Sequence, residues 1–184
     1  MRRWFVLAAV LCLLLAFAAG RIMADDMEWG PVTYSTLDSQ VFIHDDTEPY
    51  KGYAKLFAYN DTDEYWTDFH FQVKSVNGSN ISAIIFVDGM QGAINCDPTS
   101  SQSGLTWTIS NDPAGSVLNL YFAADPVAPG EEAWFKVYTD NTVNKERFGL
   151  CAYPTTDAIP EPGSLLALFS GLAGFAGFAL RRKH

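Results

Sequence analysis

His44 and His70 are the residues in the middle of the sequence most able to act as a general base. Within Thr67–Lys74, His70 alternates in step with Asp68, so on a β-strand the two side chains would share one face. Such a pair could act as a base with an orienting carboxylate. A solvent-facing polar strand face explains the same residues, and we favour that reading. The sequence contains no Gly-x-Ser-x-Gly elbow and no His-Glu-x-x-His motif, so we predict no catalytic residues and no enzymatic activity.

Two acidic runs, Asp45–Glu48 and Asp61–Glu64, carry the hard oxygen ligands that Ca²⁺ prefers. The second run lacks the glycine and the distal glutamate of an EF-hand loop. Solvated turns explain both runs, and we favour them. We therefore predict no metal site and no cofactor, with Ca²⁺ as the one candidate ion.

Aromatic residues make up 14% of the chain, enough to supply a flat platform that stacks on sugar rings, as in carbohydrate-binding modules. Packing in the core and in cross-strand pairs is the alternative for each ring. Trp66 and Trp134 are the candidates for a glycan platform, because each is predicted to share a strand face with polar side chains.

Cys96 and Cys151 are the cysteines outside the apolar run at the start of the chain, which holds Cys12. An even number of cysteines in an exported segment predicts one disulfide. It would close a loop of about 55 residues and contribute about 4 kcal/mol in the chain-entropy model. Cys96 lies in the long connection Asp88–Gly104, so we expect the disulfide to tie this loop to the last strand.

Strand patterns follow one another through the middle of the chain. Phe69, Phe71 and Val73 alternate with polar residues, and two other runs alternate in the same way: Leu105–Ile109 and Ala133–Tyr138. Further predicted strands are Val32–Leu37, Val41–His44, Tyr53–Tyr59, Ile81–Val87, Val117–Phe122 and Phe148–Tyr153. About nine short strands separated by turn residues predict an all-β fold, an antiparallel β-sandwich of Ig-like or jelly-roll-like type.

The predicted sandwich domain covers residues 25–153, and a Pro- and Thr-rich linker follows at 154–163. Residues 25–158 contain six basic and 20 acidic residues, a net charge of −14. This charge argues against nucleic-acid binding, which requires basic surfaces. It suits a solvated protein outside the cell and permits divalent cations as partners.

Residues 1–24 have the pattern of a secretory signal peptide. Arg2 and Arg3 precede the uncharged apolar run Phe5–Ala19, and small residues follow it. Cleavage after Gly20 or after Ala24 fits this pattern. An uncleaved membrane anchor is the alternative.

The C-terminal segment has three parts. Pro160, Glu161 and Pro162 come first, and the two prolines keep this tripeptide extended. The uncharged stretch 164–180 follows, long enough as a helix for about 26 Å of the ~30 Å hydrocarbon core. The basic tail 181–184, with Arg181, Arg182 and Lys183, is expected in the cytoplasm by the positive-inside rule. We therefore predict a transmembrane helix, with the domain on the far side of the inner membrane.

This order of tripeptide, short Gly-, Ala- and Leu-rich helix and basic tail closely resembles the PEP-CTERM sorting signal of exported proteins in Gram-negative bacteria. The resemblance covers about 25 residues at the C-terminal end. It implies recognition and cleavage by exosortase, a membrane protease-transpeptidase. It also implies that the protein is first anchored in the inner membrane, with its domain in the periplasm, and then reaches the cell surface or the extracellular space.

Two functions are consistent with these features. The first is a non-enzymatic cell-surface or matrix protein, associated with exopolysaccharide or biofilm and delivered through the PEP-CTERM signal. The second is a carbohydrate-binding module or a carbohydrate-acting enzyme delivered by the same signal. We expect the first, because the sequence carries no catalytic constellation.

We predict that the protein is processed at both ends, because a signal peptide precedes the domain and a sorting tripeptide follows it. Intact-mass analysis of protein from its native cells should show the loss of at least Met1–Gly20 and of Ser164–His184. Recovery of the complete C-terminal segment from the membrane fraction would contradict this and leave a simple single-pass anchor.

Overall fold

The computed structural model describes residues 26–156, which form strands and turns and contain no helix. These described residues form twelve strands: β1 (Met27–Tyr34), β2 (Gln40–His44), β3 (Lys51–Asn60), β4 (Asp68–Ser75), β5 (Ile85–Val87), β6 (Met90–Gln91), β7 (Ile94–Asn95), β8 (Thr99–Ser100), β9 (Thr106–Ser110), β10 (Val117–Tyr121), β11 (Glu132–Asp140) and β12 (Phe148–Thr155).

The strands form two five-stranded sheets and one small hairpin. Sheet A has the order β1-β3-β11-β5, with β8 also paired to β11. Sheet B has the order β2-β12-β4-β10-β9, and every pair in it is antiparallel. The hairpin joins β6 to β7. The predicted all-β sandwich is confirmed, with one addition: β1 pairs with β3 in parallel.

Alternating side chains divide each central strand into a buried and an outer face. In β3 the even-numbered residues from Gly52 to Asn60 are buried and the odd-numbered residues are half-buried. In β4, Phe69, Phe71 and Val73 are buried while His70 and Gln72 are not, as predicted. This period of two is what a sheet with one covered face requires.

Aromatic rings join the two sheets across the core. The ring of Phe69 in sheet B stacks on Phe135 in sheet A, with centroids 4.3 Å apart. Phe122 lies 5.5 Å from Phe135, and Phe71 lies 5.4 Å from Phe69. All four side chains are at most 1% exposed. The sheets therefore pack face to face, and their outer faces are left for function.

Several strand boundaries differ from the predictions: the strand predicted at Ile81–Val87 begins only at Ile85, and the first strand ends at Tyr34 rather than Leu37. The first strand begins at Met27 rather than Val32, because Met27–Trp29 pairs with β3 ahead of a register shift. Gly30 lies in that shift with φ +113°, and a Cβ there would lie 2.4 Å from the Phe57 carbonyl oxygen, so only glycine fits. The last strand continues to Thr155, two residues beyond the predicted domain end.

Trp66 is part of the core, so its prediction as a glycan platform is wrong. It lies in the segment that leads from sheet A to sheet B, where its backbone bridges to Val127. Its ring is 0% exposed and meets Tyr34 edge-on at 5.6 Å. The residue closes one end of the aromatic core, where no sugar can reach it.

We predict that Trp66→Ala destabilises the domain by about 3–5 kcal/mol, the usual cost of removing a buried tryptophan side chain. Trp134→Ala is the matched variant, and it should cost less than about 2 kcal/mol because that ring is only half-buried. Urea melts followed by circular dichroism measure both. An equal decrease in the free energy of unfolding for the two variants would mean that Trp134 belongs to the core.

Candidate functional site

The outer face of sheet A carries the candidate site. The β3–β11 register sets Trp134 opposite Phe57, and Lys136 opposite Lys55. All four side chains are half-buried. The predicted outer position of Trp134 is therefore correct, whereas its partner in the proposed platform, Trp66, lies in the core.

Both lysines rest on aromatic rings. The Nζ of Lys55 lies 4.3 Å from the Phe57 ring centroid and 5.1 Å from that of Trp134. The Nζ of Lys136 lies 3.5 Å above the Tyr53 ring. Cation–π attraction holds each ammonium group close to the sheet surface. The face therefore combines ordered positive charge with aromatic surface.

A cleft of about 290 Å³ opens beside Trp134, and we call it the Trp134 cleft. Its floor is Tyr53, Lys55, Trp134 and Lys136; its walls are Asp26, Met27 and Glu28 on one side and Thr99 on the other. The volume is close to the lower limit of small-molecule sites, about 300 Å³. An aromatic surface surrounded by ammonium and carboxylate groups can stack on a sugar ring and hydrogen-bond to its hydroxyls.

The connection 88–104, which contributes Thr99 to the wall of the cleft, is not a free loop. It contains β6, β7 and β8, and β8 pairs with β11. The Tyr53 hydroxyl donates to the Asn95 carbonyl at 2.7 Å, and the Gly89 amide donates to Asp97 at 2.7 Å. Backbone pairing and these hydrogen bonds, rather than a disulfide, hold the wall in place.

Burial under this wall also changes the acidity of the groups beneath it. Burial, with added repulsion from Cys96 and Asp140, raises the pKa of Tyr138 to about 12. Burial likewise raises the pKa of Tyr53, and Cys96 adds to the effect. Both phenols therefore stay protonated at neutral pH, and the Tyr53 hydroxyl remains a donor that anchors the wall.

His70 lies on the outer face of sheet B, where Thr155 links it to Asp68. Its Nδ1 is 2.7 Å from Asn119 Oδ1, and its Nε2 is 2.8 Å from Thr155 Oγ1. Thr155 Oγ1 in turn lies 3.3 Å from Asp68 Oδ2. Tyr153 stacks on the imidazole at 4.9 Å. The predicted His–Asp pair is therefore a four-residue network that crosses β12, β4 and β10.

Both ring nitrogens of His70 are used by this network. Asn119 Oδ1 is an acceptor, so Nδ1 carries a proton and donates it. Thr155 has one hydroxyl proton, which it can give to His70 Nε2 or to Asp68 but not to both. Before the imidazole could accept a proton from a substrate, the substrate would have to displace the Thr155 hydroxyl from Nε2. The arrangement suits a structural network across the sheet surface.

The carboxylates of the two acidic runs point to different partners. Asp45 pairs with Arg147 at 2.7 Å, whereas the side chain of Asp46 is buried against His44 at 2.8 Å. Asp61 accepts from Ser35, and Glu64 accepts from Thr156. Between residues 26 and 156, no three His, Cys, Asp or Glu side chains gather as a metal site would require. Calcium stays an untested hypothesis.

Cys96 and Cys151 are free thiols in the structure, so the predicted disulfide is not formed. Cys151 lies on the outer face of sheet B, since its neighbours Leu150 and Ala152 point into the core. Cys96 lies over the outer face of sheet A, beside Tyr53. Two sheets packed about 10 Å apart separate the two sulfurs, far more than a disulfide can span.

Lys55 and Lys136 were not among the site residues predicted from the sequence. Their outward positions follow from alternation with buried neighbours, a signal that is present in the sequence. Their direct opposition depends on the β3–β11 register, which no local pattern reveals. The two wall segments, at residues 26–28 and 99, reach the cleft only through tertiary packing.

Comparison with known families identifies the C-terminal segment. Residues 158–183 match the family model of the PEP-CTERM protein-sorting motif, which confirms the resemblance seen at Pro160–Pro162. The motif marks the chain as an exported protein targeted to exosortase, anchored transiently in the membrane before it reaches the surface or the extracellular space. No curated protein and no solved structure matches the chain.

The predicted terminal elements lie outside the described residues: the signal peptide 1–24, the Pro160–Pro162 tripeptide, the helix 164–180 and the basic tail. Within residues 26–156, no helix has the length and apolar character needed to cross a membrane.

We predict that neither cysteine reacts with a thiol reagent in the folded, exported protein, because both side chains are buried. Burial and the nearby Asp97 also raise the pKa of the Cys96 thiol, which disfavours the reactive thiolate. In denaturant without a reductant, both should label, and this can be counted by mass spectrometry. Labelling that requires prior reduction would restore the disulfide.

Proposed function

We propose that this protein is a non-enzymatic surface or matrix protein that is sorted through exosortase and associates with exopolysaccharide through the outer face of sheet A. The PEP-CTERM motif at 158–183 supports the sorting route. The observation that carries the polysaccharide part is the Trp134 cleft, where a half-buried indole lies among polar groups. Stacking on the apolar face of a sugar ring is the interaction such a surface offers.

The position of the sandwich relative to the sorting motif also supports this function. The last strand ends at Thr155, and the sorting tripeptide begins at Pro160. Five residues of extended chain span at most about 18 Å. While the protein is anchored, its folded domain is therefore held close to the membrane surface, and release by exosortase would free it to join the extracellular matrix.

A carbohydrate-acting enzyme is the weaker alternative. The best candidate base, His70, has both ring nitrogens occupied by Asn119 and Thr155. It lies on the face of sheet B, on the opposite side of the molecule from the Trp134 cleft. A binding function requires neither a free base nor a nucleophile, so it fits these side chains better.

We predict that Trp134→Ala weakens retention on the cell's own exopolysaccharide by about tenfold, because loss of one aromatic stacking contact costs about 1–3 kcal/mol by analogy with base stacking. Tyr65→Ala is the matched control, since Tyr65 is an exposed aromatic (52%) outside the cleft. Affinity electrophoresis in gels with and without the polysaccharide measures both. Repeating it with EDTA tests calcium.

Equal retention of the two variants would contradict a platform at Trp134. The non-enzymatic part has its own test, in which purified protein is incubated with the polysaccharide and new reducing ends are counted. Turnover that His70→Ala abolishes would show that the protein is an enzyme.

A further inference from the structure

We propose that the Trp134 cleft recognises a carboxylated sugar, a uronate unit of an acidic polysaccharide, through Lys55 and Lys136. This inference rests on the proposed function, polysaccharide binding by the same face, and adds the chemical class of the sugar. With these lysines in the cleft, an acidic polymer needs no bridging Ca²⁺ to bind this acidic domain.

The two lysines form an unusual pair because they are direct cross-strand neighbours in the β3–β11 ladder. Like charges placed directly opposite each other destabilise a sheet. No carboxylate of residues 26–156 lies within 4.0 Å of Lys136 Nζ. Lys55 has one such partner, Glu28, at 3.7 Å, and that side chain is 65% exposed. The two ammonium groups lean apart, that of Lys55 toward Phe57 and that of Lys136 toward Tyr53. A bound carboxylate would give Lys136 the partner it lacks among these residues and lower the positive charge beside Lys55.

The aromatic rings below the lysines prepare them for this role. Lys136 lies 3.5 Å above Tyr53, and Lys55 lies between Phe57 and Trp134. Both side chains are half-buried, so each has already lost part of its conformational freedom before a ligand arrives. Such preorganisation lowers the entropic cost of binding. A uronate offers the matching pair of features, a charged carboxylate and an apolar ring face that can stack on Trp134.

Half of the basic residues of this acidic domain lie on the face that carries the cleft. Residues 25–158 carry a net charge of −14, yet three of their six basic residues lie on this face: Lys51, Lys55 and Lys136. Repulsion between exposed charges is screened beyond about 8–10 Å at physiological salt, while contacts inside the cleft are screened less. Asp26 and Glu28 in the wall can accept hydrogen bonds from sugar hydroxyls. A polymer with spaced carboxylates and many hydroxyls fits this arrangement.

Two polymers with the same backbone separate charge from stacking. Polygalacturonate presents a carboxylate on every sugar, and its methyl ester keeps the rings and removes the charge. The exported protein, purified from its native cells, is titrated with each polymer by calorimetry in buffer at physiological ionic strength containing EDTA, so that the overall negative charge of the domain is screened. We expect polygalacturonate to bind about tenfold more tightly, since hydrogen bonds to charged groups contribute about 1.5–3 kcal/mol.

The variants assign this preference to the cleft. Lys136→Gln should lower polygalacturonate affinity about tenfold and ester affinity much less, because only the acid loses a charge-assisted contact. Lys55→Gln should act in the same direction. Lys74→Gln is the matched control, since Lys74 is an exposed lysine on the outer face of sheet B, and it should change neither affinity. Trp134→Ala should weaken both polymers. Thermal melts confirm that each variant is folded.

The outcomes distinguish this inference from the proposed function. Equal binding of both polymers, with no effect of Lys136→Gln, overturns uronate recognition while a Trp134-dependent loss still supports polysaccharide binding. Failure of the folded protein to bind polygalacturonate also overturns the inference. If binding requires calcium and disappears in EDTA, a bridging ion replaces the lysine pair as the recognition element. A preference that Lys136→Gln abolishes and Lys74→Gln leaves intact supports it.

Discussion

The nine-residue ladder between β3 and β11 is the constraint on which both the core and the cleft depend. Its register sets Leu56 beside Phe135 on the inner face and Lys55 beside Lys136 on the outer face. Side chains alternate with a period of two, so a slip of one residue would turn one strand's charged side chains into the core. The stacked contact between Phe135 and Phe69 opposes such a slip, because it joins this ladder to the other sheet. Stability and the site are therefore set by the same pairing.

The two outer faces of the sandwich differ in how far their polar side chains are paired with one another. On sheet B, Asp68, Thr155, His70 and Asn119 bind one another in a network that leaves neither imidazole nitrogen free. On sheet A, Lys55 and Lys136 are cross-strand neighbours, and among the described residues only Lys55 has a carboxylate partner, Glu28. Like-charge opposition costs stability, and a surface that retains it is a natural place to seek a ligand. Because of this difference, we place the proposed site on sheet A, although the candidate base His70 lies on sheet B.

Most of the strands could be predicted because a strand with one buried face alternates apolar and polar residues along its sequence. Alternation in β4 and β11 gave the correct inward residues, Phe69, Phe71, Val73 and Phe135. The same reasoning failed at Trp66, which follows β3 in a segment that crosses between the sheets. Alternation holds only within a strand, and a crossing segment can turn any side chain inward. Trp66 and Trp134 therefore looked alike in the sequence although their burial differs.

By itself, the sequence determined the sorting signal and the all-β character of the domain. The PEP-CTERM motif is read as a linear order of residues, so Pro160–Pro162 with the segments behind it carries its meaning without a fold. Period-two patterns likewise specify strands locally. The tertiary structure alone decided the cysteines and the cleft. The even number of cysteines suggested a disulfide between Cys96 and Cys151, but both thiols are free and the two sheets of the sandwich lie between them. Lys55 and Lys136 meet because two strands distant in the chain pair in one register, and register is a property of the packed sheets.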